Sequence, residues 1–214
     1  MVSATKKRVL LDCDGVLSDF LTKALEVINT ATMTNFQHSQ VTDFDICESL
    51  GVPHMWDTLK AACAEKDFCL SLELIPGAQV GVSMLRASAD VYCLTSPMSV
   101  PNWAYDRNIW LEKHFEITKP FVVHTEAKHI VTGDIFVDDK VENVRVWAEY
   151  NPKSLAILFD APYNRKTEIN KANVVRAFNW DDVVRLSNSW LHPNMLPLDK
   201  SMLYTNPPYQ RMKW

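Results

Sequence analysis

The sequence predicts an α/β protein built on a doubly wound, Rossmann-like parallel sheet, with a small helical insertion after the first strand. Three observations carry this prediction. Short apolar runs recur at Arg8 to Leu11, Val91 to Leu94, Phe121 to Val123, Ile135 to Val137, Leu155 to Phe159 and Val174 to Phe178. Helix-length segments separate most of them, and continuous apolar runs without polar alternation suit strands buried on both faces. Asp12, Thr95 and Asp138 follow directly on three of these runs, at the carboxyl ends where an open parallel sheet places its chemistry.

After the first run, Leu17, Phe20, Leu21, Ala24, Leu25 and Ile28 recur at i, i+3, i+4 spacing, the signature of an amphipathic helix. The stretch from Ser18 to Pro76 is too long for a single crossover. Met55 to Ala64 is also helix-like, so residues 18–76 are expected to form a helical insertion, with a core made of 1–17 and 77–192. The chain re-enters that core at Ile75 to Ala78, where Pro76 and Gly77 fit a turn into a helix from Gln79 to Arg86. Further helices are expected at Trp103 to His114, Val141 to Tyr150 and Asp181 to Ser189, with Trp103, Trp110, Trp147 and Trp180 as core residues. Residues 193–214 hold four of the eleven prolines and no helical period, which reads as a tail. Its Leu196, Leu198, Leu203, Tyr204 and Trp214 suit a segment lying along the surface or reaching a partner subunit.

Composition narrows the function classes. With 47% hydrophobic and 22% charged residues, and only 5 Gly and 11 Pro in 214, the chain is globular rather than disordered or low-complexity. A net charge of −4 supplies no global basic field, which argues against extended nucleic acid and requires any phosphate site to be built locally. The five cysteines (Cys13, Cys47, Cys63, Cys69, Cys93) form no CxxC pair and have no His at zinc-ligand spacing. A reducing compartment fits this better than a disulfide framework or structural zinc. The only apolar run near the start, Val9 to Leu11, stops at Asp12, too short for a signal sequence or a membrane span, so a cytoplasmic protein with no membrane partner is expected.

The chemistry-bearing segments are three. In LLDCDGVLSDF, Asp12 and Asp14 sit two apart at a strand-to-loop corner, and Gly15 permits close backbone approach to a ligand. Crowded carboxylates call for a hard divalent cation with oxygen ligands or a shared proton; taken alone, the segment also admits the lesser reading of an Asx-turn and helix cap. In YCLTSP, the hydroxyls of Thr95 and Ser96 and their backbone N–H groups suit an anion, although such residues are also ordinary at strand ends. In AKHIVTGDIFVDDK, Lys128 precedes a strand ending in Asp138 and Asp139; the acids would also cap the helix from Val141, and a lysine is ordinarily solvated. Convergence on one sheet edge would gather four carboxylates, two hydroxyls and one ammonium.

These ordered motifs, DCDGVL, LTSP, and Lys128 ten residues before the second of VDD, resemble the haloacid dehalogenase (HAD) superfamily of phosphatases. Within it the chain is most similar to the 5′(3′)-deoxyribonucleotidase family, through DCDGVLSDF, LIPGA, LTSP, the aromatic helix WAYDRNIWLEKHF and the Lys128 to Asp139 spacing, over about Arg8 to Asp182. The resemblance implies a HAD-like core with residues 18–76 as its cap, and a Mg²⁺-dependent phosphomonoesterase. Asp12 would be the nucleophile that forms an aspartyl-phosphate. Asp14 would protonate the leaving oxygen and then activate water, a role that dehalogenases do not need. Mg²⁺ would be held by Asp12, the Asp14 carbonyl and Asp139, with Asp138 in an outer contact. Thr95, Ser96 and Lys128 would grip the phosphoryl group, and Phe20, with Trp56 and Phe68 of the cap, would line a nucleobase pocket. Phe20 also belongs to the apolar stripe of its helix. Where the family places a Lys in the aromatic helix, this chain has Arg107 with one residue fewer before it, expected at the substrate pocket; Arg does not replace Lys evenly at such contacts. The implied partner is a small deoxynucleotide, and the family's tendency to dimerise leaves a homodimer open. Alternative readings keep the chemistry for another small phosphate, such as a sugar phosphate or modified nucleotide, or keep only the fold as a phosphate-sensing module.

Overall fold

The computed structural model describes residues 6–193, so all but the first residue of the predicted tail lies outside the described residues. Six strands form one sheet: β1 (Lys7–Leu11), β2 (Ala89–Thr95), β3 (Val122–His124), β4 (Ile135–Asp138), β5 (Leu155–Phe159) and β6 (Val174–Ala177). Every pairing is parallel, in the order β3-β2-β1-β4-β5-β6. All six predicted runs are strands.

The period-2 geometry of strands sorts their residues onto two faces. Val9, Leu11, Val91, Cys93, Ile135, Val137 and Ile157 enter one buried cluster. Leu10, Leu94, Phe136, Ala156 and Leu158 enter the other. The chain steps outward from β1 through β2 to β3, then returns past β1 to β4 and steps the opposite way. Right-handed crossovers therefore put the intervening helices on opposite faces. Helices α4 (Ala78–Arg86), α5 (Trp103–Phe115) and α7 (Trp180–Leu191) cover the first face, and α6 (Val141–Tyr150) covers the second. The four tryptophans expected in the core are buried. Trp147 packs on Phe136 at 5.1 Å between ring centroids, while Trp180 lies so close to Gly81 that any side chain there would collide with the indole.

Between β1 and α4 lie α1 (Phe20–Thr32), α2 (Ile46–Ser49) and α3 (Trp56–Ala64), joined by short 3₁₀ turns. Asp19 caps α1 by accepting from the Thr22 N–H at 3.0 Å, and Leu21, Ala24, Leu25 and Ile28 form its buried stripe. The four-residue α2 is too short to leave a periodic signal and was not anticipated. The insertion leaves and rejoins the core at one neck. The Ile75 N–H donates to Leu17 O at 2.9 Å, the Asp19 N–H donates to Glu73 O at 2.8 Å, and Ser18 forms an antiparallel bridge with Leu74. The α1 stripe shares one hydrophobic cluster with Val9 and Leu11 of the sheet. Among the described residues no helix is long and apolar enough to cross a membrane. All five cysteines are buried and free.

Candidate active site

The strand order reverses between β1 and β4, the switch point where open α/β sheets leave a crevice at their carboxyl ends. Asp12 follows β1 into that crevice, held by its N–H donating to Val137 O at 2.8 Å. The Cys13 carbonyl then accepts from the N–H groups of Leu17 and Ser18 at 2.7 and 2.9 Å, curling residues 13–18 into a tight loop. Gly15 has φ +80°, and a Cβ there would overlap the Asp139 carboxylate. Both the left-handed backbone and the close passage of Asp139 require glycine.

Lys128 enters from a 3₁₀ turn, Lys128–Ile130, between β3 and β4. Its Nζ lies 2.7 Å from Asp12 Oδ1 and 2.8 Å from Asp138 Oδ2, with the side chain only 2% exposed. The Asp138 carboxylate takes two further donors: Oδ2 also accepts from Asn143 Nδ2 at 3.0 Å, and Oδ1 from the Lys140 N–H at 2.8 Å. Asp139 accepts from the Tyr163 hydroxyl at Oδ2 and from Asn164 Nδ2 at its carbonyl. Asp12, Asp138 and Asp139 each bring a carboxylate oxygen within 4.8 Å of the others.

This crowding shows in the acidities. Burial pushes the Asp12 carboxyl up to about 7, against the pull of Lys128 and reinforced by Asp138. Asp139 is driven well above the usual carboxylate range by burial, then by Asp138 and Asp12. Burial opposes the charge on Lys128, but Asp12 and Asp138 outweigh it and hold the ammonium charged well past its ordinary range. Three buried carboxylates facing one ammonium would carry an excess of negative charge once ionised, and an all-oxygen donor set of this kind suits a hard divalent cation.

Thr95 is buried at the end of β2, and Ser96, beside it, is exposed with Oγ donating to Thr125 O at 3.2 Å. The edge thus gathers Asp12, Thr95, Lys128, Asp138 and Asp139, as the motif reading expected of it. Asp14 turns into a different contact: its Oδ1 accepts from Ser18 Oγ at 2.7 Å and from Arg107 Nη2 at 2.6 Å. Arg107, expected at a substrate pocket, is fully buried in this pairing. Phe20 meets Trp103 edge-on at 6.2 Å, and Phe68 lies 6.3 Å from the same ring. Trp56 is 43% exposed at the start of α3 and has no ring partner among the described residues.

Sequence reasoning missed Ser18, Asn143, Tyr163 and Asn164. The last two lie in the turn Pro162–Asn164 just after β5. The rule that singled out Asp138, polar residues at the carboxyl end of a parallel strand, would have found them.

A family model described as 5′ nucleotidase, deoxy (Pyrimidine), cytosolic type C protein matches residues 6–189. A 5′(3′)-deoxyribonucleotidase from Bacillus subtilis is 27% identical over 187 residues, 84% of this chain and 98% of that protein. Among solved structures, a haloacid dehalogenase-like hydrolase from Burkholderia xenovorans LB400 superposes with a TM-score of 0.56 at 14% identity, covering 87% of this chain and 98% of that one. A HAD-hydrolase from Bacillus subtilis, determined bound to magnesium, superposes with a TM-score of 0.51 at 12% identity over 86% and 99% of the two chains. These two structural likenesses establish the fold.

Proposed function

Because the chain belongs to the 5′ nucleotidase, deoxy (pyrimidine), cytosolic type C family, and is thereby a phosphoric monoester hydrolase of the HAD phosphatase type, we propose that it removes phosphate from deoxyribonucleoside 5′(3′)-monophosphates through an aspartyl-phosphate on Asp12. The observation that carries the mechanism is the Lys128 bridge. It holds one oxygen of Asp12 at 2.7 Å, and among the described residues no donor reaches the other, Oδ2. An oxygen so presented is a nucleophile whose orientation is set in advance.

In the first step an Asp12 carboxylate oxygen bonds to phosphorus while the bond to the nucleoside oxygen breaks, and Asp14 supplies the proton that this oxygen takes up. In the second, water attacks the phosphorus, Asp14 accepts the water's proton, and the phosphorus–Asp12 bond breaks to release inorganic phosphate. Lys128, with the Thr95 and Ser96 hydroxyls, would hold the phosphoryl oxygens. Asp12, the Asp14 carbonyl and Asp139 would hold Mg²⁺, and the engagement of Asp138 by Lys128, Asn143 and the Lys140 N–H suits an outer contact for that residue. A bound Mg²⁺ offsets the repulsion between carboxylates and a phosphate dianion. Residues 18–76 would act as a cap that excludes bulk water, with Phe20, Phe68 and Trp56 supplying apolar surface for the base.

Phosphate release from a panel of nucleoside monophosphates, with sugar phosphates as controls and EDTA as the metal check, tests this reading. Deoxynucleotides should be turned over at least tenfold more efficiently than sugar phosphates, and chelation should abolish both. Equal turnover of sugar phosphates would remove the nucleotide assignment.

A further inference from the structure

Arg107 occupies a position that its packing alone does not justify. Its guanidinium is fully buried, its Nε has no hydrogen-bond partner, and its one carboxylate partner, Asp14, is 29% exposed. Burying such an ion costs several kcal/mol in general, and a hydrophobic side chain of similar volume would often serve stability as well. Yet the site is built around it. The guanidinium lies between Trp103 and Trp110, at 5.1 and 5.5 Å from the ring centroids. Trp110 is itself anchored by Nε1 donating to Leu72 O at 2.9 Å. Nη1 donates to Cys13 Sγ at 3.1 Å and to Ser18 Oγ at 3.2 Å, while Nη2 donates to Asp14 Oδ1 at 2.6 Å.

Ser18 Oγ donates to the same Asp14 oxygen at 2.7 Å. Two donors therefore converge on Oδ1, and no donor among the described residues reaches Oδ2. We propose that Arg107 and Ser18 clamp Asp14 by Oδ1, fixing the plane of its carboxyl group so that Oδ2 is the oxygen that gives and takes the catalytic proton. Arg107 is a positioning residue here, without contact to the substrate. Because the Ser18 backbone also bridges Leu74 at the neck of the insertion, the clamp ties the acid/base to the hinge of the cap. This inference rests on Asp14 being the acid/base and adds what orients it.

The test compares Arg107→Met, Arg107→Lys, Ser18→Ala and Asp14→Asn by rapid quench, with p-nitrophenyl phosphate and a deoxynucleoside monophosphate as substrates. A nitrophenolate leaves without a proton, whereas a nucleoside oxygen needs one. Arg107→Met should form phosphoenzyme from the aryl phosphate within about threefold of the wild-type rate, and from the nucleotide about 100-fold more slowly. It should then accumulate phosphoenzyme, since breakdown needs a well-aimed base. KM for the nucleotide should stay within about threefold while KM for the aryl phosphate falls as phosphoenzyme accumulates, and Arg107→Lys should recover about a tenth of the lost rate or more. Ser18→Ala should show the same pattern at about a tenfold loss, and it carries the test if Arg107→Met fails to fold. Equal slowing of phosphoenzyme formation from both substrates with a lowered Tm, or Arg107 variants that match wild type while Asp14→Asn is impaired, would overturn the clamp. Full activity of Asp14→Asn would instead overturn the acid/base assignment, and the clamp with it.

Discussion

Lys128 and Asp12 meet at 2.7 Å in a pair almost sealed from water, and Asp12 nevertheless retains a proton up to about pH 7. The attraction of one ammonium, shared with Asp138, is outweighed by the cost of burying the charge. This asymmetry separates the fates of two substitutions. Lys128→Met leaves Asp12 and Asp138 buried with no cation and should cost about 3–5 kcal/mol, or a Tm loss of about 10 °C or more. Asp12→Asn removes a charge the fold resists, so its Tm at pH 7.5 should equal or exceed that of wild type. Both should be inactive, and differential scanning calorimetry beside a phosphate-release assay distinguishes them.

Mg²⁺ should stabilise the protein more at high pH than at low. Asp12 titrates near 3.8 when unfolded and near 7 when folded, so its contribution to stability is full below about pH 4 and is lost as the pH rises through 7. Asp139 shifts in the same direction. A cation takes the place of those protons, so the Mg²⁺-induced rise in Tm should be larger at pH 8 than at pH 6. An equal rise at both values would dissociate metal binding from these carboxylates.

Gly15→Ala should damage metal binding before it damages the fold. The new Cβ would strike the Asp139 carboxylate, and the backbone at φ +80° disfavours any side chain. The half-saturating Mg²⁺ concentration for activity should rise by about tenfold or more, in the range seen for displaced metal ligands and their supports. Titration of activity against Mg²⁺ measures this, and an unchanged midpoint would show that Asp139 does not bind the metal.

Phe20→Ala tests whether the ring serves the base or the core. Base–aromatic stacking is worth about 1–3 kcal/mol, so kcat/KM for a deoxynucleotide should fall by about 5- to 150-fold while glycerol phosphate is unaffected. The edge-on contact with Trp103 at 6.2 Å gives the ring a packing role as well. Equal losses on both substrates with a lower Tm would assign it wholly to packing.

The sheet was legible because its strands are buried on both faces: a run such as Leu155 to Phe159, apolar at every position, has few other homes. Strand ends were harder. Thr95 and Asp138 are the last residues of β2 and β4, but polar character suggested that each run had already stopped. The convergence of Asp12, Lys128, Asp138 and Asp139 was legible once these were placed at the carboxyl edge. The pairing of Arg107 with Asp14 was not, since a contact between residues 93 apart leaves no local periodicity. An arginine on a helix rich in aromatics reads as a surface group reaching for an anion, whereas here the anion is the protein's own.

The cluster that joins Leu21, Ala24, Leu25 and Ile28 to Val9 and Leu11 also governs how the molecule comes apart. The insertion's stripe and one face of the sheet form a single cluster, so the two should melt as one calorimetric transition, with van't Hoff and calorimetric enthalpies in agreement. Any swing of the insertion about the Ser18–Leu74 bridge should then be small enough to leave that shared oil seam shut.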